Sequence, residues 1–173
     1  MITIINDKIN KLTENNYKIF LSSINTSSLR CSCGKKGCLI NHGFYTRDVI
    51  TIDDSFSIKV LRVKCSSCGK THAIVPHLIV PYSKLSLDLI LLLIRAKKSN
   101  RHKALSTIIP ITYLPLDESH IRYILKSFNL YWKEMLISIG TAIFDDLTHI
   151  SSTCLFNFKR QFMQIKCVPN ILN

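Results

Sequence analysis

Apolar and polar side chains alternate most regularly over residues 56–60, where Phe56, Ile58 and Val60 interleave with Ser57 and Lys59 ahead of Leu61. That period of two is the signature of a half-buried strand. Val49-Ile50-Thr51-Ile52 makes a shorter partner, and Asp53-Asp54 between the two supplies turn chemistry, so a β-hairpin is predicted. Farther on, Thr71–Pro76 and Leu78–Tyr82 carry apolar triplets that each end at a proline, which removes a ladder donor and disfavours helix. They predict an extended segment at the sheet edge, with Pro81 as its boundary.

Beyond Pro81 the period changes. Leu89–Ile94 is apolar on nearly every side, as in a core helix, and predicts a helix over about 84–98. Ser83 is placed to cap it, with Asp88 near its start and Arg95, Lys97 and Lys98 at its end, as the helix dipole favours. A short helix is predicted over 101–108, then a loop over 109–116 holding Pro110 and Pro115. Asp117 caps a long helix whose buried face carries Ile121, Ile124, Leu125, Phe128, Trp132, Met135, Leu136 and Ile139. Gly140 bends or ends it, and a further helical stretch runs from about 141 to 155. Residues 1–29 show only a weak helical period through Ile9, Leu12, Phe20 and Ile24, and read as an extension holding a helix and a strand.

The chemistry is concentrated in two cysteine knuckles flanking the hairpin, Cys31-Ser-Cys33-Gly-Lys-Lys-Gly-Cys38 and Cys65-Ser-Ser-Cys68-Gly69. Five of the seven cysteines lie in them. Cys-x-x-Cys-Gly aims two thiolates at one point, and a tetrahedral zinc ion takes four such ligands from two short loops. The upper knuckle offers three thiols. A one-residue gap is a poor chelate on extended backbone, because neighbouring side chains point to opposite faces. The predicted ligands are therefore Cys33, Cys38, Cys65 and Cys68, with Cys31 as the substitute for an upper ligand. His42 and His72 lie close enough in sequence to replace a cysteine. Cys154 and Cys167 read as small apolar residues.

Composition selects metal over disulfide. The N-terminal residues lack the basic region, apolar core and cleavage site of a secretory leader, and the cysteine count is odd. A cytoplasmic, reducing environment is the expectation. The net charge of +12 is distributed unevenly. Residues 30–83 carry eight Lys or Arg against three Asp, residues 84–103 six against one, and residues 104–156 three against five. Such a field attracts polyanions and predicts salt-sensitive binding. The bases singled out as phosphate contacts are Lys35, Lys36, Arg47, Arg62 and Lys64 on the ribbon. Arg122, Lys126 and Lys133 on the long helix complete the set.

The runs CSCGKKGCLINHGFYTR and LRVKCSSCGKTHAIVPHLIVPYS are similar to a bacterial family known only as a domain of unknown function. The resemblance rests on Leu39, His42, Gly43, Tyr45 and Arg47, then Arg62, Val63, Cys65, Cys68, Gly69, Thr71, His72 and Ala73, then Ile79–Tyr82. It covers most of residues 30–98. The ribbon also resembles the N-terminal zinc module of insertion-sequence transposases, where a helix-turn-helix follows and binds transposon ends. That likeness implies DNA binding, with zinc on Cys33, Cys38, Cys65 and Cys68. The three-carboxylate catalytic centre of such an enzyme has no counterpart among the eleven acids here.

Together these readings predict an α+β chain with three parts: an N-terminal extension over 1–29, a small β zinc ribbon over 30–82, and a mostly α-helical, helix-turn-helix-like domain over 83–173. The function expected is DNA binding as a mobile-element accessory or remnant, with structural zinc and no enzymatic activity. The alternative is an adaptor that docks a recombinase or polymerase. Neither a membrane nor a small-molecule substrate is expected as a partner.

Overall fold

The computed structural model describes residues 1–6 and 9–99, together with Ser119, Arg122, Tyr123, Ile124 and Lys126. The chain divides after Ser86 into two compact units. In the first, strands β1 (Ile2–Ile4), β2 (Leu39–Ile50), β3 (Ser55–Cys65) and β4 (Thr71–Pro76) form one sheet in the order β1-β4-β3-β2. Helix α1 (Glu14–Ser22) and a 3-10 turn (Thr26–Ser28) lie between β1 and β2, and helix α2 (Leu87–Ser99) opens the second unit.

The fold expectation needs correction. The described residues form a mixed four-stranded sheet with few, short helices, and a mostly helical second domain is not borne out. The sheet is also more than a ribbon. β2 pairs antiparallel with β3, β3 with β4, and β1 adds in parallel to β4 through Ile2↔Ile74, Thr3↔Val75 and Ile4↔Pro76. β4 is thus interior, not an edge. Its proline costs no ladder bond, because Pro76 ends the strand and the next amide, His77 N, donates to Ile4 O at 2.9 Å. The predicted elements over 101–118 and 127–173 lie outside the described residues; Arg122, Tyr123, Ile124 and Lys126 are helical.

The segment before the first knuckle enters the core through Ile9, Leu12, Tyr17 and Phe20. Thr13 caps α1, its hydroxyl accepting from Asn16 N at 3.1 Å, and Glu14 sits in the first turn where the helix dipole favours an acid. Tyr17 and Phe20, one turn apart, are both buried with ring centroids 5.9 Å apart. The Tyr17 hydroxyl donates to Lys59 O on β3 at 3.2 Å, and burial holds its pKa well above the usual phenol range. With Ile9 and Leu12 these rings join Val49, Ile58, Val60, Val63, Ile74 and Val75 in one apolar cluster that also contains Cys31, Cys38 and Cys65.

Along β3 the buried side of the strand changes. Ile58 and Val60 are buried while Ser57 and Lys59 are exposed; from Leu61 onward the odd positions Leu61, Val63 and Cys65 are buried and Arg62 and Lys64 are exposed. Since successive side chains point to opposite faces, the core has crossed from one face to the other. The crossing coincides with a bulge in β2, where Asn41 pairs with Val63 but Phe44 pairs with Leu61. Gly43 at φ +98° makes the bulge, and a bulge sharpens local twist. Its consequence is that Arg62 and Lys64 emerge on one open face, flanked by Ile40 and Thr71 through the pairs Ile40↔Lys64 and Lys64↔Thr71.

After β4 the chain turns back along the hairpin. Ser83 N donates to Val80 O at 3.2 Å, closing a turn with Pro81 and Tyr82 at its corners, and Tyr82 sits at φ +62°. Arg47 Nη2 donates to Val80 O at 2.6 Å and also to Ser83 O, clamping that turn to β2. Ile50 N then donates to Lys84 O and Ser86 N to Ile50 O, which keeps 84–86 extended. For this reason α2 starts at Leu87, three residues later than predicted, and the Ser83 hydroxyl accepts from Leu85 N instead of capping the helix. Leu89, Ile90, Leu93 and Ile94 are fully buried, as a core helix requires. Among the described residues no helix is long and apolar enough to cross a membrane.

Candidate metal centre and basic face

Both knuckles sit at one end of the sheet, where β2 begins, β3 ends and β4 begins. They share a backbone pattern. In the lower loop Cys65 N donates to Lys70 O and Gly69 N to Cys65 O, both at 2.9 Å; in the upper loop Cys31 N donates to Lys35 O and Gly34 N to Cys31 O, also at 2.9 Å. Gly69 and Gly34 take positive φ, +71° and +89°, at equivalent places. Cys31 therefore corresponds to Cys65 and Cys33 to Cys68, the upper loop being one residue shorter. The two loops are held together through Ser66, whose amide donates to Cys38 O at 2.8 Å.

The sulfurs of Cys31, Cys33, Cys65 and Cys68 all lie within 4.8 Å of one another. Four sulfurs each about 2.3 Å from a common tetrahedral centre stand about 3.8 Å apart. The observed cross-loop distances are 3.6 Å for Cys31–Cys68 and 3.8 Å for Cys33–Cys65, so these residues fit one metal ion. Cys31 and Cys65 are buried, Cys33 and Cys68 exposed. Of the ligands predicted from sequence, Cys33, Cys65 and Cys68 stand in this set, and Cys31 completes it. Cys38 lies beside it. Its Sγ is 3.3 Å from Cys65 Sγ and contacts Lys35 O at 3.3 Å. The objection to a one-residue gap assumed extended backbone, whereas Cys33 sits in a turn.

Around the cluster His72 is buried on β4 with Nε2 3.2 Å from Cys31 Sγ, while His42 is exposed. Burial, with the positive N-terminus and Lys70, lowers the His72 pKa, so its ring is neutral at pH 7. A neutral ring with one N–H can donate to a thiolate at that position, the outer-sphere role that steadies metal-bound sulfur. The thiols share their protons unequally. Cys31 is lowered, first by the Cys33 amide. For Cys65, burial pushes upward, but hydrogen bonds from the Cys68 and Ser67 amides and the contact with Cys38 sulfur outweigh it and bring the pKa to about 6. Burial lifts Cys38 to about 11. At Cys68 the Lys70 amide lowers, but burial and the neighbouring thiols prevail and raise it to about 12.

The same end of the sheet is basic. Lys35 and Lys36 on the upper knuckle are exposed, as are Arg62, Lys64 and Lys70. Neither residues 15–47 nor residues 55–87 contain an acid. The ion pairs of the described residues, Lys11–Asp53, Lys18–Glu14 and Lys84–Asp48, engage none of these knuckle bases. Arg47 is the exception among the predicted phosphate contacts, being half-buried and spent on the carbonyls of Val80 and Ser83. Arg122 and Lys126 are exposed, and Lys133 lies outside the described residues.

Fold and site together define a cysteine-knuckle β-sheet module with a candidate four-thiol metal centre at one end. A family model described as a domain of unknown function (DUF6431) matches residues 30–109, from the first knuckle to beyond α2. No curated protein and no solved structure matches the chain.

Proposed function

We propose that the chain is a zinc-stapled nucleic-acid-binding protein, in which a structural Zn²⁺ on Cys31, Cys33, Cys65 and Cys68 fixes a basic face that binds duplex DNA. The metal would supply no chemistry beyond cross-linking the loops, since four thiolates leave no open coordination position for catalysis. For that reason the protein is read as a binding module and not an enzyme. The observation that carries the DNA reading is the acid-free knuckle end, where Lys35, Lys36, Arg62 and Lys64 are exposed and outside the ion pairs. Its likeness to the ribbon of insertion-sequence transposases supports a role at the ends of mobile elements, as an accessory or remnant.

A second reading, docking to a larger recombinase or polymerase, is favoured by Ile40 and Phe44. Both are more than half exposed on β2, the outermost strand beside the basic face. Titration of duplex DNA separates the two. Neutralising about four phosphates gives a slope of log K against log salt near −3.6, or about a hundredfold loss of affinity between roughly 50 and 200 mM salt. Arg62→Ala with Lys64→Ala should flatten that slope by about two units. Affinity that does not change with salt would remove the DNA reading.

A further inference from the structure

A tetrahedral site uses four of the five clustered thiols and leaves Cys38 over. Cys38 is buried, and its sulfur lies 3.3 Å from Cys65 Sγ, closer than the 3.6 Å of Cys31–Cys68 and the 3.8 Å of Cys33–Cys65. That is less than the spacing of two ligands on one tetrahedral ion, about 3.8 Å, and it marks direct thiol–thiol contact. The pair also bridges the loops: Cys38 ends the upper knuckle and Cys65 opens the lower one. Cys38 can therefore reach a metal-bearing sulfur without itself holding metal.

We propose that Cys38 is a resolving thiol, and that a peroxide converts the Cys38–Cys65 contact into a disulfide that releases the metal. This rests on the metal reading above. In the first step the Cys65 thiolate attacks hydrogen peroxide; the O–O bond breaks, a sulfur–oxygen bond forms, and hydroxide leaves with the electron pair. In the second, Cys38 sulfur displaces the oxygen of the Cys65 sulfenic acid, and the thiol proton leaves with it as water. Two electrons pass from the two sulfurs to one peroxide. Cys65 can no longer ligate, and the remaining Cys31, Cys33 and Cys68 hold the ion more weakly. Peroxide would thus free the ion by breaking the metal crosslink while putting a covalent one between the same two loops.

The test uses the full chain loaded with zinc and treated with hydrogen peroxide. Metal release is followed with a chromogenic chelator, intact mass is measured, and the disulfide is mapped by peptide mass spectrometry. The expected result is release accompanied by loss of two hydrogens and a Cys38–Cys65 linkage. Cys38→Ser and Cys38→Ala should load zinc like the parent chain but release it at least about tenfold more slowly under peroxide. Release from both variants at the parental rate, or a linkage joining Cys31 to Cys68 or Cys33 to Cys65, overturns the proposal. A chain that never loads zinc contradicts the metal reading instead; a Cys38–Cys65 linkage formed in that chain would still support the thiol pairing.

Discussion

Single residues decide the proposed metal centre. Serine at Cys31, Cys33, Cys65 or Cys68 should each lower zinc affinity by at least about tenfold, and a cobalt-substituted sample should lose its four-thiolate spectrum. Serine at Cys38 should leave that spectrum intact. The lower knuckle was legible because Cys-x-x-Cys-Gly is local: one tight loop and one glycine determine where both sulfurs point. The upper ligands were less legible, because Cys31, Cys33 and Cys38 can be ranked only once the backbone is known to turn at Cys33. A different residue-scale test concerns Asp48, whose pKa is lowered by the Ser57 hydroxyl, which donates at 2.7 Å, and then by Lys84 at 3.3 Å. A carboxylate with a depressed folded pKa adds stability above its unfolded value and loses it as pH falls through the folded one. Urea midpoints of the parent and Asp48→Asn should therefore differ near pH 6 and converge as the pH drops below about 3.9.

At the scale of elements, sheet register carries the account. The β2–β3 hairpin was readable from alternation, but β2 proved far longer than the four residues its apolar run marks. Nine of its twelve residues, from Ile40 to Asp48, are exposed or half-buried on both faces and so lack the pattern that betrays a strand. Pairing of β1 with β4 was invisible for another reason: it joins residues some seventy positions apart through short apolar stretches with no turn between them. Helix α1 is the support for this arrangement. Phe20→Ala should cost about 3–5 kcal/mol in denaturant unfolding, because a fully buried ring leaves a cavity against β3. Tyr17→Phe should cost about 1 kcal/mol through its bond to Lys59 O. The turn clamped by Arg47 works in the opposite direction. Tyr82 is 93 % exposed and left-handed, so Tyr82→Gly should raise stability by about 1 kcal/mol by relieving backbone crowding.

For the whole molecule, charge was legible from composition and its placement was not. The sequence shows that residues 55–87 lack acids, yet only the crossing of the core between Val60 and Leu61 puts Arg62 and Lys64 on an open face beside the knuckles. The helical domain expected for the C-terminal half rested on local periodicity, which measures amphipathic pattern and not the fold that receives it. What unites the molecule's first unit is a cluster in which cysteines and apolar side chains share one interior, so losing the metal should loosen the sheet as well as the loops. The most direct measurement is a native mass spectrum of the full chain expressed with ample zinc. The account predicts a folded species heavier than the bare chain by one zinc ion, less the protons its thiolates give up. A folded species at the metal-free mass would contradict it.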